Sequence, residues 1–339
     1  MSKRKSRSPL SVIAVAIVAA LTVLVLFADA PVDPSGAERL FSVPKGASTR
    51  WIAQSLADES LVRSSLATFA YARALGKTLK AGTYRLSPAL RAHEVLAVLE
   101  EGKQEEVRVT LAEGLSLSKV ARRLESAGVI PAGDFVRAAS DPVILREFGI
   151  PGKTAEGYLF PDTYFFPYGI AAEDAVRMML RNFFARVPAI EGAPADPARL
   201  FEAVTLASVV EREYRLDDEA PLIASVFKNR ISIGMGLQSC ATVEYIITEI
   251  EGKEHPTRLT AKDLEIKSDY NTYLWAGLPP GPISNPGTVA LRAVFTAPRT
   301  NYLYFRLVDP ETGKHRFTRS LEEHVEAGRT YYLKRAAGD

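Results

Sequence analysis

The sequence predicts an α+β protein that begins with a single N-terminal transmembrane helix, continues as a small α+β module and ends as a larger mixed α+β domain. Three observations lead to this expectation: an uncharged N-terminal run, a strand–turn–helix pattern that recurs 68 residues along the chain, and a motif-rich region beyond it. We place a cytoplasmic tail at 1–9, the membrane helix at 10–28, the module at 36–140 and the last domain at 141–339.

The N-terminal run is long enough to cross a bilayer. Leu10 to Ala28 is 19 residues without a charge, and a helix of that length spans roughly the 30 Å hydrocarbon core. Four basic residues in 3–7 precede it, so the positive-inside rule places the chain after Asp29 outside the cytoplasm. A cleaved signal peptide is the alternative, because Ala28-Asp29-Ala30 has a small-x-small form. We favour retention because the run exceeds the ~7–15 apolar residues of a signal peptide.

Composition excludes several classes of function. The chain of 339 residues has one cysteine, Cys240, and four scattered histidines without metal-ligand spacing, so we expect no disulfide, no metal and no cofactor. Four of the 42 basic residues and one of the 40 acidic residues lie in the first 30 positions. The remainder is therefore close to neutral and has no electrostatic footprint for nucleic acid.

An internal repeat supports the middle module. Residues 43–56 align with residues 111–124, and each copy reads as a strand, a glycine turn, a serine and an apolar helical stripe. Ser48 and Ser116 are suited to cap the two helices. The spacing resembles the LysM carbohydrate-binding fold, although any capped strand–turn–helix unit gives the same pattern. The module is thus either a sugar-binding element or a structural spacer.

The segment 156–164, Glu-Gly-Tyr-Leu-Phe-Pro-Asp-Thr-Tyr, combines acidic and aromatic residues around a glycine and a proline. Such a loop is suited to stacking on sugars, with Glu156, Tyr158 and Asp162 as candidate contacts. The alternative is a turn whose rings pack into the core.

A helix is predicted from Asp196-Pro197 to about Tyr214, because aspartate is a good N-cap and proline a good first helical residue. At about 100° per residue, Glu211 falls on its apolar stripe, where desolvation raises the pKa of a carboxyl group. Glu213 falls on the opposite face and is expected to be solvated. A partly buried glutamate is often paired with arginine, and Arg215 is the candidate partner.

Several separated motifs carry a family resemblance. They are Leu-Ala-Ser-Val-Val-Glu-Arg-Glu at 206–213, Ala-Ser-Val-Phe-Lys-Asn-Arg at 224–230, Gly-Leu-Gln-Ser at 236–239, Tyr-Asn-Thr-Tyr at 270–273 and the turn-rich segment 277–287. With the loop at 156–164 and the N-terminal run, this ordered set closely resembles the YceG-like endolytic murein transglycosylases, the MltG family. One departure is Cys240-Ala241-Thr242, where the family usually has Asp-Pro-Thr.

The resemblance implies the site, the partners and the location. Glu211 matches the family's catalytic glutamate, and no metal or cofactor is implied. The expected substrate-binding residues are Glu156, Tyr158, Asp162, Gln238, Tyr270, Asn271 and Asn285. The expected partners are peptidoglycan glycan strands and penicillin-binding synthases. The expected location is the bacterial inner (cell) membrane, single-pass, with the catalytic domain in the periplasm.

The implied reaction is cleavage of the bond between N-acetylmuramic acid and N-acetylglucosamine, leaving 1,6-anhydro ends and terminating glycan elongation. A lytic transglycosylase can use one carboxyl group first as acid and then as base. A lysozyme-type hydrolase needs a second carboxylate, for which the candidates are Asp162, Asp217, Asp218 and Glu219. A non-catalytic glycan-binding scaffold is the third possibility.

The C-terminal region predicts a hairpin and a helix. Residues 301–308 and 315–318 read as strands around a turn at 309–313, and Ser320 with Glu323 forms a capping box for a helix to about Arg335. No functional role is predicted for this region.

Overall fold

A computed structural model describes residues 9–309 and 311–337 of the protein. Except for Pro9, the predicted cytoplasmic tail at 1–9 lies outside these residues. The first helix, α1, extends over Pro9–Asp29. Among the described residues no helix is both long and apolar enough to cross a membrane, so the transmembrane helix predicted at 10–28 is not confirmed.

The described chain divides into two compact units. The first runs up to Val107 and includes Phe166–Gly169, and the second comprises Arg108–Phe165 and the residues from Ile170 onward. Short two-stranded sheets accompany the helices, which confirms a mixed α+β fold. The two copies of the repeat fall in different units, and the LysM-like module at 36–140 stays a prediction.

The first unit packs helices against one antiparallel strand pair. Its further elements are β1 (Arg39–Val43), α2 (Thr49–Asp58), α3 (Ser65–Ala74), β2 (Gly82–Leu86) and α4 (Ala92–Glu101). Phe41 of β1 lies opposite Tyr84 of β2. Both rings are buried with Leu56 of α2 and Leu99 of α4, so apolar residues from every one of these elements except α3 form a single core.

The local pattern of the repeat is confirmed in both copies. Ser48 caps α2 by accepting the Trp51 N–H at 3.2 Å, and Ser116 caps its helix by accepting the Lys119 N–H at 3.4 Å. The glycine before each serine has a positive φ, +73° at Gly114, a conformation that residues with a side chain rarely adopt.

The second unit carries most of the helices. Its elements, of which the strands β3 and β4 each extend across the unit boundary, are β3 (Glu106–Thr110), α5 (Leu117–Ser126), α6 (Ala132–Ala139), α7 (Pro142–Glu147), β4 (Thr163–Pro167), α8 (Ala172–Arg186), α9 (Pro197–Val210), α10 (Ala220–Ser232), α11 (Cys240–Tyr245), α12 (Thr288–Phe295), β5 (Tyr304–Asp309), β6 (Lys314–Thr318) and α13 (Leu321–Ala337). Helices α9, α10 and α12 pack on one another. The long segment between α11 and α12 holds the motifs at 270–273 and 277–287.

Helix α9 begins as predicted but ends early. Asp196 accepts the Arg199 N–H at 2.9 Å and so caps the first turn. The helix stops at Val210 rather than near Tyr214, and the Arg212 and Glu213 N–H groups donate three residues back instead of four. Because this turn is tighter than an α-helix, a rotation of 100° per residue no longer predicts where the side chains after Val210 point.

The C-terminal hairpin and helix are confirmed. Strand β5 pairs antiparallel with β6, and α13 follows at Leu321. The Glu323 N–H donates to Ser320 Oγ at 3.2 Å, while Glu323 Oε2 accepts the Arg319 N–H at 2.9 Å. His315 of β6 is buried against Glu219, which accepts its backbone N–H.

Candidate active site

Glu211 lies where the end of α9 meets two turns of the second unit. The Gly287 N–H, at the start of α12, donates to Glu211 Oε2 at 2.9 Å. The Tyr214 hydroxyl donates to Glu211 Oε1 at 3.3 Å. Gly114 lies alongside, because a Cβ added there would be 3.5 Å from Glu211 Cγ. Arg215, the partner considered from sequence, is exposed and makes none of these contacts.

The protonation of Glu211 is set by opposing effects. Burial is the largest, and with it the negative charge of Glu113 raises the pKa of Glu211, while the hydrogen bonds from Gly287 and Tyr214 lower it. The result is a pKa of about 7. A carboxyl group with this pKa is present in both protonation states near neutral pH, as a group that gives and then takes a proton requires.

Asn285 fastens the turn that carries Gly287. Its side chain accepts the Gly157 and Leu159 N–H groups at 2.9 and 3.0 Å and donates to the Leu115 carbonyl at 2.8 Å. The side chain is 1% exposed. Asn285 was predicted to bind substrate, but the structure places it inside the protein, where it joins three segments around Glu211.

Glu156 is likewise an internal residue. It is 4% exposed, and its two carboxyl oxygens each lie 2.9 Å from the Leu117 nitrogen, whose N–H is the first of helix α5. Asn285 Nδ2 donates to the same carboxyl at 3.3 Å. Burial raises the pKa of Glu156 to about 8. The side chain therefore holds the loop at 156–164 on α5 instead of facing a groove.

The aromatic residues of that loop pack into the core. Tyr158 is 1% exposed, and its ring centroid lies 4.8 Å from that of Phe183 and 5.9 Å from that of Phe184. Tyr164 is buried and donates its hydroxyl to the Phe160 carbonyl at 2.6 Å. The loop is thus a packed turn, the alternative left open by its composition, and the Tyr158 ring is not available for sugar stacking.

Of the remaining residues predicted to contact substrate, some are buried and others are accessible to solvent. Asn271 is fully buried and donates to the Leu264 and Ile266 carbonyls at 3.0 and 2.9 Å. Asp162, partly exposed, accepts Asn182 Nδ2 at 3.0 Å and Arg186 Nη2 at 2.6 Å. Gln238 is exposed, and this residue is held at φ +52°.

Tyr270 is partly exposed, with its ring centroid 5.1 Å from that of Tyr245. Gln238, Tyr270 and Asp162 are therefore the predicted residues that retain some access to solvent. The departure from the family pattern begins two residues after Gln238: Cys240 is exposed and begins α11, with its Sγ 3.2 Å from the Tyr273 hydroxyl oxygen.

The expectation that Glu213 is solvated is wrong. Ser239 Oγ hydrogen bonds to Glu213 Oε1, and burial raises the pKa of Glu213 to about 7. The tight turn after Val210 explains the error, because it directs Glu213 inward toward the segment at 237–239. Glu213 is therefore unsuitable as a surface control for Glu211.

Glu113 is a site residue that sequence reasoning missed. A Cβ added at Gly287 would overlap the Glu113 carboxyl group, which places this carboxyl beside the glycine that donates to Glu211. The signal was present in the repeat: residue 113 precedes the turn glycine of the second copy, and the same position in the first copy is Lys45. A change from base to acid at an otherwise similar turn indicates a local role for that charge.

The described part of the chain has no cluster of three or more histidine, cysteine, aspartate or glutamate side chains arranged to hold a metal ion. The functional groups that meet at this site are the Glu211 and Glu113 carboxyl groups, the Tyr214 hydroxyl and the Gly287 N–H.

Comparisons with known proteins give consistent matches. Residues 41–330 match the model of the YceG-like family. An endolytic murein transglycosylase of Bacillus subtilis (strain 168) is 29% identical over 308 residues, which cover 86% of this chain and 84% of that protein. A Streptococcus pneumoniae protein of the same name (strain D39) is 27% identical over 323 residues, covering 87% of this chain and 58% of its own longer chain.

A solved structure is also similar. The crystal structure of a yceG-like protein from Listeria monocytogenes aligns with a TM-score of 0.58 and 30% sequence identity. The alignment covers 86% of this chain and 99% of that chain.

Proposed function

Since the chain belongs to the YceG-like family, we propose that it is an endolytic lytic transglycosylase of peptidoglycan, with Glu211 as its acid and base. The observation that carries the proposal is the Glu211 carboxyl itself: it is partly buried, its pKa is about 7, and its partners are the Gly287 N–H and the Tyr214 hydroxyl. The names of the Bacillus and Streptococcus relatives support the same substrate class.

In the proposed reaction, protonated Glu211 donates its proton to the oxygen that links N-acetylmuramic acid to N-acetylglucosamine. As this bond breaks, the 2-acetamido carbonyl of the muramyl residue stabilises the positive charge at the anomeric carbon. The Glu211 carboxylate then takes the proton of the C6 hydroxyl of the same sugar, whose oxygen bonds to the anomeric carbon. The products are a 1,6-anhydro end and a free N-acetylglucosamine hydroxyl, and no water is consumed.

The contacts of Glu211 suit both of the protonation states that the proposed reaction requires. While Glu211 is protonated, burial stabilises the neutral acid. After proton transfer, the Gly287 N–H at 2.9 Å and the Tyr214 hydroxyl at 3.3 Å stabilise the carboxylate. The exposed side chain of Gln238 and the partly exposed Tyr270 are the residues proposed to orient the sugar ring, since neutral donors do not compete for the proton.

A lysozyme-type hydrolase is the second candidate, and Glu113 is the observation that favours it. Of the second carboxylates considered from sequence, Asp162 binds Arg186 and Glu219 binds His315, Asp217 and Asp218 are exposed, and the charge of Asp217 acts on Glu211 more weakly than that of Glu113. Glu113 instead lies beside Gly287, close to Glu211. A hydrolase would need this carboxylate to act directly on the anomeric carbon or on a water.

Product analysis distinguishes the two reactions. Purified glycan strands are digested with the full chain in detergent, and the new ends are measured by mass spectrometry. The transglycosylase gives 1,6-anhydro-N-acetylmuramic acid ends, which are one water lighter than reducing ends. Reducing ends alone would reject the proposal in favour of hydrolysis, and intact strands would favour a glycan-binding scaffold.

We also propose that the protein is anchored in the bacterial inner membrane with its catalytic unit in the periplasm. The support is the uncharged run at 10–28 behind four basic residues in 3–7. There it would cut nascent strands, terminate elongation and meet penicillin-binding synthases. Cell fractionation tests the anchor: the full chain should sediment with membranes and a chain starting at Pro31 should not. Recovery of the shortened chain only with membranes would reject it.

A further inference from the structure

We propose that Glu113 is a positioning residue for the proton of Glu211: the two carboxyl groups meet at Gly287, and the charge on Glu113 keeps the transferable proton on Glu211. The inference rests on the proposed role of Glu211 as a general acid and deepens it. It concerns which carboxyl group holds the proton before substrate is cleaved.

The first argument is the reason for a glycine at position 287. Its φ of −84° and ψ of −178° are extended backbone that any residue adopts, so conformation does not require glycine there. Glycine instead provides room, because a Cβ would overlap the Glu113 carboxyl and push this end of a flexible side chain aside. The same residue donates its N–H to Glu211 Oε2 at 2.9 Å. One glycine therefore allows both carboxyl groups to approach the first turn of α12.

The second argument is that backbone contacts hold Glu113 in place. Gly114, its neighbour, donates its N–H to the Asn285 carbonyl at 2.9 Å, and Asn285 donates its own N–H to the Leu115 carbonyl at 2.8 Å. A Cβ at Gly114 would also lie 4.0 Å from Glu211 Oε1. The turn that carries Glu113 is thus fixed to the turn that carries Gly287, and the proximity of the two carboxyl groups does not depend on a flexible loop.

The third argument concerns the charges that face Glu211. Glu113 faces it from the turn before α5, and Asp217 adds a weaker negative charge from the segment before α10. Tyr214 faces it from its own turn. The Arg212 side chain passes Gly114, but its guanidinium pairs with Glu244 at 3.0 Å. Within the described part of the chain, no basic side chain forms an ion pair with Glu211 or Glu113.

A negative charge beside a carboxyl group, with no cation to offset it, disfavours ionisation of that group and so favours keeping its proton. Glu113 is exposed and keeps hydrating water when charged, whereas Glu211 is more buried. The proton therefore goes to Glu211. The raised pKa of Glu211 agrees in direction, with burial as the larger cause and Glu113 as a further one.

The test is Glu113→Gln, which keeps the shape and removes the charge, with Asp217→Asn as the matched control. Glutamate carboxyl carbons of the full chain in detergent micelles are labelled with ¹³C and titrated by NMR without substrate, and the Glu211 signal is identified by its loss in Glu211→Gln. We expect the Glu211 midpoint to move to lower pH in Glu113→Gln and less in Asp217→Asn. An unchanged midpoint, or an equal shift in both variants, would overturn the inference.

A second readout is the pH profile of glycan cleavage, scored as strand shortening whatever end is formed. In Glu113→Gln the ratio of the rate at pH 8 to that at pH 6 should fall about threefold or more, since less Glu211 is protonated at pH 8. A uniform loss of rate at every pH, with the ratio unchanged, would show a merely structural role and reject the inference.

Gly287→Ala tests the same inference independently, because the added methyl group displaces the Glu113 carboxyl while the backbone N–H remains. It should shift the Glu211 midpoint in the same direction as Glu113→Gln, and the double variant should shift it no further. Additive shifts would count against the inference. Since the NMR titration uses no substrate, failure to find anhydro ends would reject the proposed function and leave this result standing.

Discussion

Replacing Glu211 with glutamine is the most direct test of the chemistry. Glutamine keeps the length of the side chain, and its carbonyl oxygen can still accept the Gly287 N–H. It has no proton to give and no carboxylate to take one back. General acid–base catalysis contributes about 10²- to 10⁴-fold, or about 3 to 5 kcal/mol of barrier.

The structure places the expected loss at the upper end of that range. The other carboxyl group at the site, Glu113, is exposed and acts on Glu211 as a negative charge, so it does not supply a second acid beside the scissile bond. Glu211→Gln should therefore reduce anhydro-end formation by about 10⁴-fold. Its urea unfolding midpoint should stay close to that of the unaltered protein.

The assay is the rate at which glycan strands gain 1,6-anhydro ends, measured by mass spectrometry with the full chain in detergent. Glu202→Gln is the matched control, because Glu202 is an exposed glutamate on the same helix, α9. The control should retain nearly full activity. If Glu211→Gln lost less than about tenfold while folded, Glu211 would not be the general acid.

Three further predictions concern pH and stability. Cleavage should decline as pH rises through about 7, the pKa of Glu211, since the acid form starts the reaction; initial rates still rising at pH 9 would contradict this. Asn285→Ala leaves the Gly157 and Leu159 N–H groups unpaired, so it should reduce the free energy of unfolding by about 2 to 6 kcal/mol. Urea denaturation measures this loss, and a loss under about 1 kcal/mol would contradict the structural role of Asn285. The pKa of Glu156 rises from 4.5 to about 8 on folding, so its contribution to stability is present below the unfolded value and is lost as pH rises toward 8. Glu156→Gln should make urea midpoints at pH 5 and 8 more alike, and an unchanged difference would refute this.

The local patterns of the sequence predicted local structure well. The serine caps at Ser48, Ser116 and Ser320 and the start of α9 at Asp196 are confirmed, because each depends on hydrogen bonds within a few residues. The Glu323 side chain, the other half of the predicted capping box, instead accepts the Arg319 N–H. The resemblance to the YceG-like family is also confirmed, by a match over residues 41–330. Ordered motifs and short-range capping are both properties of the sequence itself.

The roles of the motif residues were harder to predict. Glu156, Asn271 and Asn285 have side chains that suit sugar binding. In the structure, however, each one hydrogen bonds to backbone groups that only the fold brings close. Glu213 was misplaced because the chain tightens after Val210, which helical periodicity cannot reveal. Glu113 was missed because its neighbour at the site, Gly287, is distant in sequence.

The position of Glu211 supports the proposal that one residue serves as both acid and base. At the end of α9 it is buried enough to favour the neutral acid, and the charge of Glu113 acts in the same direction. The Gly287 N–H, at the N-terminal end of α12, favours the carboxylate. A stronger donor or a paired arginine would hold Glu211 ionised and remove the acid, whereas deeper burial without Gly287 would make the carboxylate too costly to form. These effects nearly balance, which is what the proposed reaction requires of a proton that leaves Glu211 and returns within one catalytic cycle.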